Sequence, residues 1–269
     1  MKNFFWTLRF LTIVPIGGRW CKETPEVKHV AFWFPVIGLL IGVVLTFIYF
    51  PATRFFPHPV ADALILIAYI VITGGFHLDG FADSCDGLFG GSTRDRRLEI
   101  MRDSQIGSYG ALCLICTVGL KYLCLVSIDP KVVAESSFIA SQKTFNGMGS
   151  VYLYACEKGK VLLFMCVIGR WCQTLAAALS TYARDEKGTG RIIVDNLNLK
   201  HVIFSAFIPV ILIFLFCGIK GIFVFIIALA VIVLFTSYVK RKIGGMTGDT
   251  LGAVNEVSEL TVLLAFLSI

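Results

Sequence analysis

The sequence predicts an all-α protein, a polytopic membrane bundle of about seven spanning helices. Three observations carry this. Of 269 residues, 57% are hydrophobic and only 16% are charged, with a mean hydropathy of +0.80; soluble domains carry roughly 25% charged residues. Several apolar runs approach the roughly 20 residues that a spanning helix needs. In lipid the backbone must satisfy its own hydrogen bonds, and the aspartate and glycine punctuation between the runs suits helices rather than a barrel. No soluble domain of useful size, internal repeat or low-complexity tract breaks the chain. Residues 1–269 therefore read as one integral-membrane domain.

The N-terminal stretch "MKNFFWTLRFLTIVPIGGRWCKE" superficially resembles a signal peptide. Arg9 interrupts its apolar run and no small-x-small cleavage site follows, so it reads as a retained amphipathic segment on the membrane surface. Candidate spans then cover 31–50, 60–76, 109–128, 161–180, 201–219, 221–239 and 251–269. The last contains Glu256 and Glu259 and is the least secure on hydropathy. Residues 129–160 are too polar to span and show no clear period; they read as a loop or a surface helix.

Lys and Arg in short loops set the orientation. Lys2, Arg9, Arg19, Lys22 and Lys28 precede the first span, and Arg94, Arg96, Arg97 and Arg102 follow the second. Arg184, Lys187, Arg191 and Lys200 follow the fourth, and Lys240, Arg241 and Lys242 the sixth. Alternation gives a cytoplasmic N-terminus in a bacterial inner membrane, with every chemically suggestive cluster on the cytoplasmic face. Lys131, Lys143, Lys158 and Lys160 dissent from this topology. The net charge of +6 is spread over these loops; it points to topology and anionic lipid, not to nucleic acid. Most of the nine cysteines lie inside apolar runs and read as small packing residues, Cys113 and Cys116 included.

The chemistry concentrates in "GGFHLDGFADSCDGLFGG". Asp79, Asp83 and Asp86 are spaced i, i+4, i+7, which places them on one face of a helix. Three carboxylates on one face repel unless a cation or solvent sits among them, and hard oxygen donors select Mg²⁺, Mn²⁺ or Ca²⁺. The bland alternative is a solvated acidic loop, but acids bordering lipid are costly and usually functional. Gly80 and Gly87 allow close approach of a phosphate or of a neighbouring backbone. Arg94, Arg97, Arg102 and Asp103 follow, and arginine forks match phosphate oxygens; their bland reading is topology alone. Asp249, Glu256 and Glu259 share roughly one face of the last span. They complete the acidic site, or they bond between helices. His77 reads as a base, as a phosphate contact, or as a satisfied polar side chain.

These residues resemble a known family. "TGGFHLDGFADSCDGLFGG" with "RRLEIMRDSQIGSYG" closely resembles cobalamin synthase, adenosylcobinamide-GDP ribazoletransferase. "LRFLTIVPI", "FPVIGLLIG", "RWCQTLAAALSTYAR" and "GGMTGDTLGAVNEVSEL" extend the resemblance over nearly the whole chain, residues 129–160 excepted. The resemblance implies a Mg²⁺-dependent phosphotransferase. It joins adenosylcobinamide-GDP to α-ribazole or its 5′-phosphate, releases GMP and closes the nucleotide loop of vitamin B12. It implies metal ligands among Asp79, Asp83, Asp86 and Glu256, and catalytic roles for Asp83, Asp86 and His77. Substrate contacts would come from Arg94, Arg97, Arg102, Asp103, Gly80, Gly87 and Asp249. A homo-oligomer and pathway enzymes docked on the cytoplasmic face are compatible with this reading. The competing readings are a CDP-alcohol phosphotransferase, whose motif places an Ala-Arg after the first Asp-Gly, and a divalent-cation transporter, which would place acids near the midplane.

Overall fold

A computed structural model describes residues 2–16, 27–128, 147–185 and 188–268. The expectations for Arg19, Lys22, Lys131, Lys143 and Lys187 lie outside the described residues. Among the described residues the regular structure is helical, joined by short loops, with one isolated bridge between Tyr182 and Met246. In order, its helices are α1 (Lys2–Leu11), α2 (Val27–Phe55), α3 (His58–Thr73), α4 (Phe76–Gly90), α5 (Arg94–Ile100) and α6 (Ser108–Ser127). Then come α7 (Gly147–Ala178), α8 (Thr189–Asn196), α9 (Leu199–Ser205), α10 (Phe207–Leu212), a π-helical turn (Ile213–Cys217), α11 (Gly218–Ile243) and α12 (Gly248–Ser268).

Five stretches are long and apolar enough to cross a membrane, or six if the bent pair α3–α4 forms one crossing. They expose apolar side chains outward, such as Phe47, Ile115, Phe214 and Leu234, as lipid-facing surfaces do. One of the five runs from Leu199 to Ile243, 45 residues. The sequence-based reading divides this stretch into its fifth and sixth spans, and the structure shows where it folds. Trp171 donates from Nε1 to Val202 O at 3.2 Å and packs its ring 4.9 Å from Phe225. A straight helix would hold Val202 and Phe225 roughly 35 Å apart at 1.5 Å per residue. The chain therefore turns back, at Gly218, whose φ of 53° suits glycine.

Of the two readings of residues 129–160, loop or surface helix, residues 147–160 take the helical one, but as the opening of α7, continuous with the fourth span. Polar Lys158 is tolerated because it is buried on Asp62 of α3, with Nζ–O distances of 2.9 and 3.0 Å. α2 and α7 form the most extensive helix pair. Gly38 and Gly42 on α2, a GxxxG pair, make this possible; a Cβ on Gly42 would lie 2.8 Å from Leu163 Cα.

The second predicted span ends early. Gly74 and Gly75 both adopt positive φ, 63° and 67°, and α4 leaves α3 at 87°. α4 therefore does not continue the line of α3. It packs on α12, α6 and α5. α1 lies over this corner: Ile13 N donates to Ile72 O at 2.9 Å, and Phe10 meets Phe76 edge-on at 5.4 Å. One end of the bundle thus collects α4, α5, the start of α6 and the start of α12.

Candidate active site

Close contact between α4 and α12 builds the site. A Cβ on Gly80 would lie 2.9 Å from Asp249 Cα and 2.9 Å from its carbonyl oxygen. Gly80 thus brings Asp249 against the aspartate face of α4. Gly87 does the same for α5, since a Cβ there would lie 2.8 Å from Arg97 O. Both glycines serve neighbouring backbone, one of the two uses the sequence allowed.

The three aspartates of α4 diverge in role. Asp79 is exposed and Asp83 half-buried, one helical turn apart. Asp86 is buried and turned onto the start of α6, where its two oxygens accept from Gly107 N and Gly110 N at 2.8 Å each. It satisfies amides that a helix N-terminus leaves unpaired. Burial, then the facing charges of Asp249, Asp79 and Asp86, push the Asp83 carboxyl from 3.8 up to about 7. Among the described residues, no three His, Cys, Asp or Glu side chains converge closely enough to hold a metal by themselves.

Asp249 accepts from Arg184 Nη2 at 2.8 Å. Arg184 comes from the segment between α7 and α8. That segment is fastened to the start of α12 by Ala183 N to Met246 O at 2.9 Å and Met246 N to Thr181 O at 2.8 Å. Beside it opens a cavity of about 220 Å³ lined by Arg94, Arg102 and Arg184 and also by the carboxylates of Asp95, Glu99 and Asp185.

The predicted arginines divide their duties. Arg94 donates from Nε to Ile243 O at 3.1 Å and from Nη2 to Ala183 O at 2.7 Å. Arg97 donates from Nη1 to Lys242 O at 3.3 Å. Both tie α5 to the carbonyl end of α11, where cations are favoured. Arg102 is exposed at the cavity. Asp103 is exposed and accepts from Gln105 N at 3.0 Å in a local turn.

Glu256 and Glu259 lie deeper in the bundle. Lys121 on α6 donates to both, at 2.7 and 2.5 Å. Arg170 and Tyr69 also donate to Glu259, and Asn255 Nδ2 reaches it at 2.9 Å. Two cations balance two anions, so Glu256 takes the interhelical role and does not join Asp79 and Asp83. His77 is 1% exposed, and among the described residues neither ring nitrogen has a hydrogen-bond partner. Burial, then the charge of Arg170, holds its pKa down to about 3, so it is neutral and faces no solvent.

Sequence reasoning did not single out Arg184, Lys121, Arg170 or Tyr69. For Lys121 and Arg170 a signal existed: each is a lone base inside an apolar span, matched by the two acids of the last span.

The fold and site define a class: a polytopic helical membrane protein with an acidic, arginine-bordered site at one end of its bundle. The model of the cobalamin-5-phosphate synthase family matches residues 3–267, and the chain belongs to that family. It is 33% identical to the adenosylcobinamide-GDP ribazoletransferase of Clostridium novyi (strain NT) over 269 residues, covering 100% of this chain and 97% of that one. The proteins of the same name from Acetivibrio thermocellus and Klebsiella pneumoniae (strain 342) are 34% and 33% identical. Each alignment covers 99% of this chain, and 97% and 100% of the relatives respectively. No solved structure matches the chain.

Proposed function

We propose that this protein transfers α-ribazole, or its 5′-phosphate, onto adenosylcobinamide-GDP with release of GMP, at the cytoplasmic face of the bacterial inner membrane. The observation that carries the proposal is the half-buried Asp83, set against Asp249 and beside a cavity that Arg102 and Arg184 line, at one end of the bundle. The family and the names of its relatives supply the substrate class.

In this reading the acceptor hydroxyl attacks the phosphorus on the cobinamide side of the diphosphate. A new P–O bond forms and the anhydride P–O bond breaks. GMP keeps the bridging oxygen, and the hydroxyl proton passes to Asp83. A carboxyl held near 7 is suited to that transfer at neutral pH. Arg102 faces the phosphate oxygens from the cavity rim, where charge grows as GMP departs.

The donors fit a divalent ion by their chemistry: Asp79, Asp83 and Asp249 offer hard carboxylate oxygens, and the charges of Asp249 and Asp79 add to burial in raising Asp83. Mg²⁺ is commonly held by one or two carboxylates plus substrate phosphates, so a closed protein cage is not required. When bound, the ion supplies charge neutralisation to the diphosphate.

The test incubates membranes holding the protein with adenosylcobinamide-GDP, α-ribazole and Mg²⁺, and assays cobalamin and GMP. Product from the wild type, lost with EDTA and with Asp83→Asn, supports the reading. No product from folded wild type sinks it, and product from Asp83→Asn breaks the assignment of the base.

A further inference from the structure

We infer that Arg184 grips the phosphate of the bond that breaks, and that the cavity between α5 and residues 183–185 is the diphosphate site. The inference rests on the transferase reading above and adds a residue to it.

Arg184 differs from Arg94 in what its donors do. A guanidinium carries five N–H donors. Arg94 spends its fork on Ile243 O, Ala183 O and Asp95. Among the described residues Arg184 spends only Nη2, on Asp249 at 2.8 Å and more loosely on Met101 O at 3.4 Å. Its Nε is buried and has no partner among the described residues. A buried charged donor without an acceptor is costly. Arg97 and Arg170, which hold helices together, share an unpaired Nε, so what sets Arg184 apart is that it also lines the cavity and meets Asp249.

Position relates Arg184 to a substrate anion. Arg184 lines the cavity on one side and touches Asp249 on the other. Its charge also acts on Asp83. It therefore stands on the boundary between the acids and the space where a substrate anion would lie. The Tyr182–Met246 bridge braces its backbone, so the side chain projects from a fixed point. A phosphate presents paired oxygens to a planar fork. Its entry competes with Asp249 for Nη2, which loosens Asp249 at the moment substrate arrives.

The experiment measures calorimetric binding of inorganic pyrophosphate to the full-length protein in nanodiscs, in EDTA. The variants are Arg184→Gln, Arg184→Lys and Asp249→Asn, with melting temperature as the check on folding. Arg184→Gln should weaken binding by roughly tenfold or more, and Arg184→Lys by a smaller factor, since Lys keeps charge but loses the fork. Asp249→Asn, which removes the competitor, should bind as tightly as wild type or tighter. Wild-type affinity in Arg184→Gln overturns the inference. So does equal weakening by Asp249→Asn, because Arg184 would then act only by holding the ion pair. Should Arg184→Gln not fold, Arg184→Lys decides: unchanged affinity overturns the inference. Turnover of adenosylcobinamide-GDP by the wild type is assayed in parallel. Its absence fails the transferase reading and leaves the pyrophosphate result to stand separately.

Discussion

Lys121 on α6 donates to Glu256 on α12 at 2.7 Å, with both side chains almost wholly buried. The pair joins helices that are far apart in sequence and lies in a network neutral overall. Removing one partner of a buried pair leaves an uncompensated charge, at a cost of about 3–5 kcal/mol. Lys121→Met should therefore lower the melting temperature of the solubilised protein sharply. Lys121→Met with Glu256→Gln should recover much of the loss. Equal melting temperatures for wild type and the single variant would remove the network from any account of the fold.

Asp86 and Asp83 are separated by one turn of α4 and should fail differently. Asp86→Ala strips two backbone amides of α6 of their acceptor and should cost about 1–2 kcal/mol. Asp83→Asn touches no such bond and should abolish turnover with the melting temperature unchanged or raised. Thermal unfolding and GMP release, measured on the same preparations, check this. A stable but inactive Asp86→Ala would return Asp86 to the chemistry.

Gly80 sets the distance between α4 and the start of α12. Gly80→Ala places a Cβ 2.9 Å from the backbone of Asp249, which cannot yield as a side chain tip would. Overpacking of this kind costs about 1–3 kcal/mol, and here it also moves Asp249 away from Asp83. Turnover should fall more than stability does. Full activity in Gly80→Ala would show that the two helices are not held at the spacing described.

The helices were legible because hydropathy marks a span whatever its partners are. The corner at Gly74–Gly75 was not, since an apolar window cannot sense positive φ. That the polar opening of α7 continues into the fourth span was not legible, because Lys158 counts against a span until Asp62, 96 residues away, neutralises it. The site shows the same division. Asp79, Asp83 and Asp86 announce themselves by spacing along one helix. That Asp86 turns to α6 and Glu256 to Lys121 depends on contacts between helices. Arg184 meets Asp249 across 65 residues, and no local pattern in "YARDE" encodes that meeting.

The raised proton affinity of Asp83 makes stability depend on pH with a definite sign. Its folded value is about 7 against an ordinary 3.8, so the folded protein holds a proton that the unfolded chain has released between those limits. Stability then falls as pH rises through that window and levels off above it. Asp83→Asn has nothing to ionise and should show a flatter profile, with its advantage over wild type growing between about pH 4 and pH 7. Melting temperatures of both proteins across that range, in EDTA so that no divalent cation competes for the carboxylate, give the comparison. Parallel profiles would mean that Asp83 ionises in the folded protein as an ordinary aspartate does. It would then lack the basicity that proton transfer from the acceptor hydroxyl needs near neutrality.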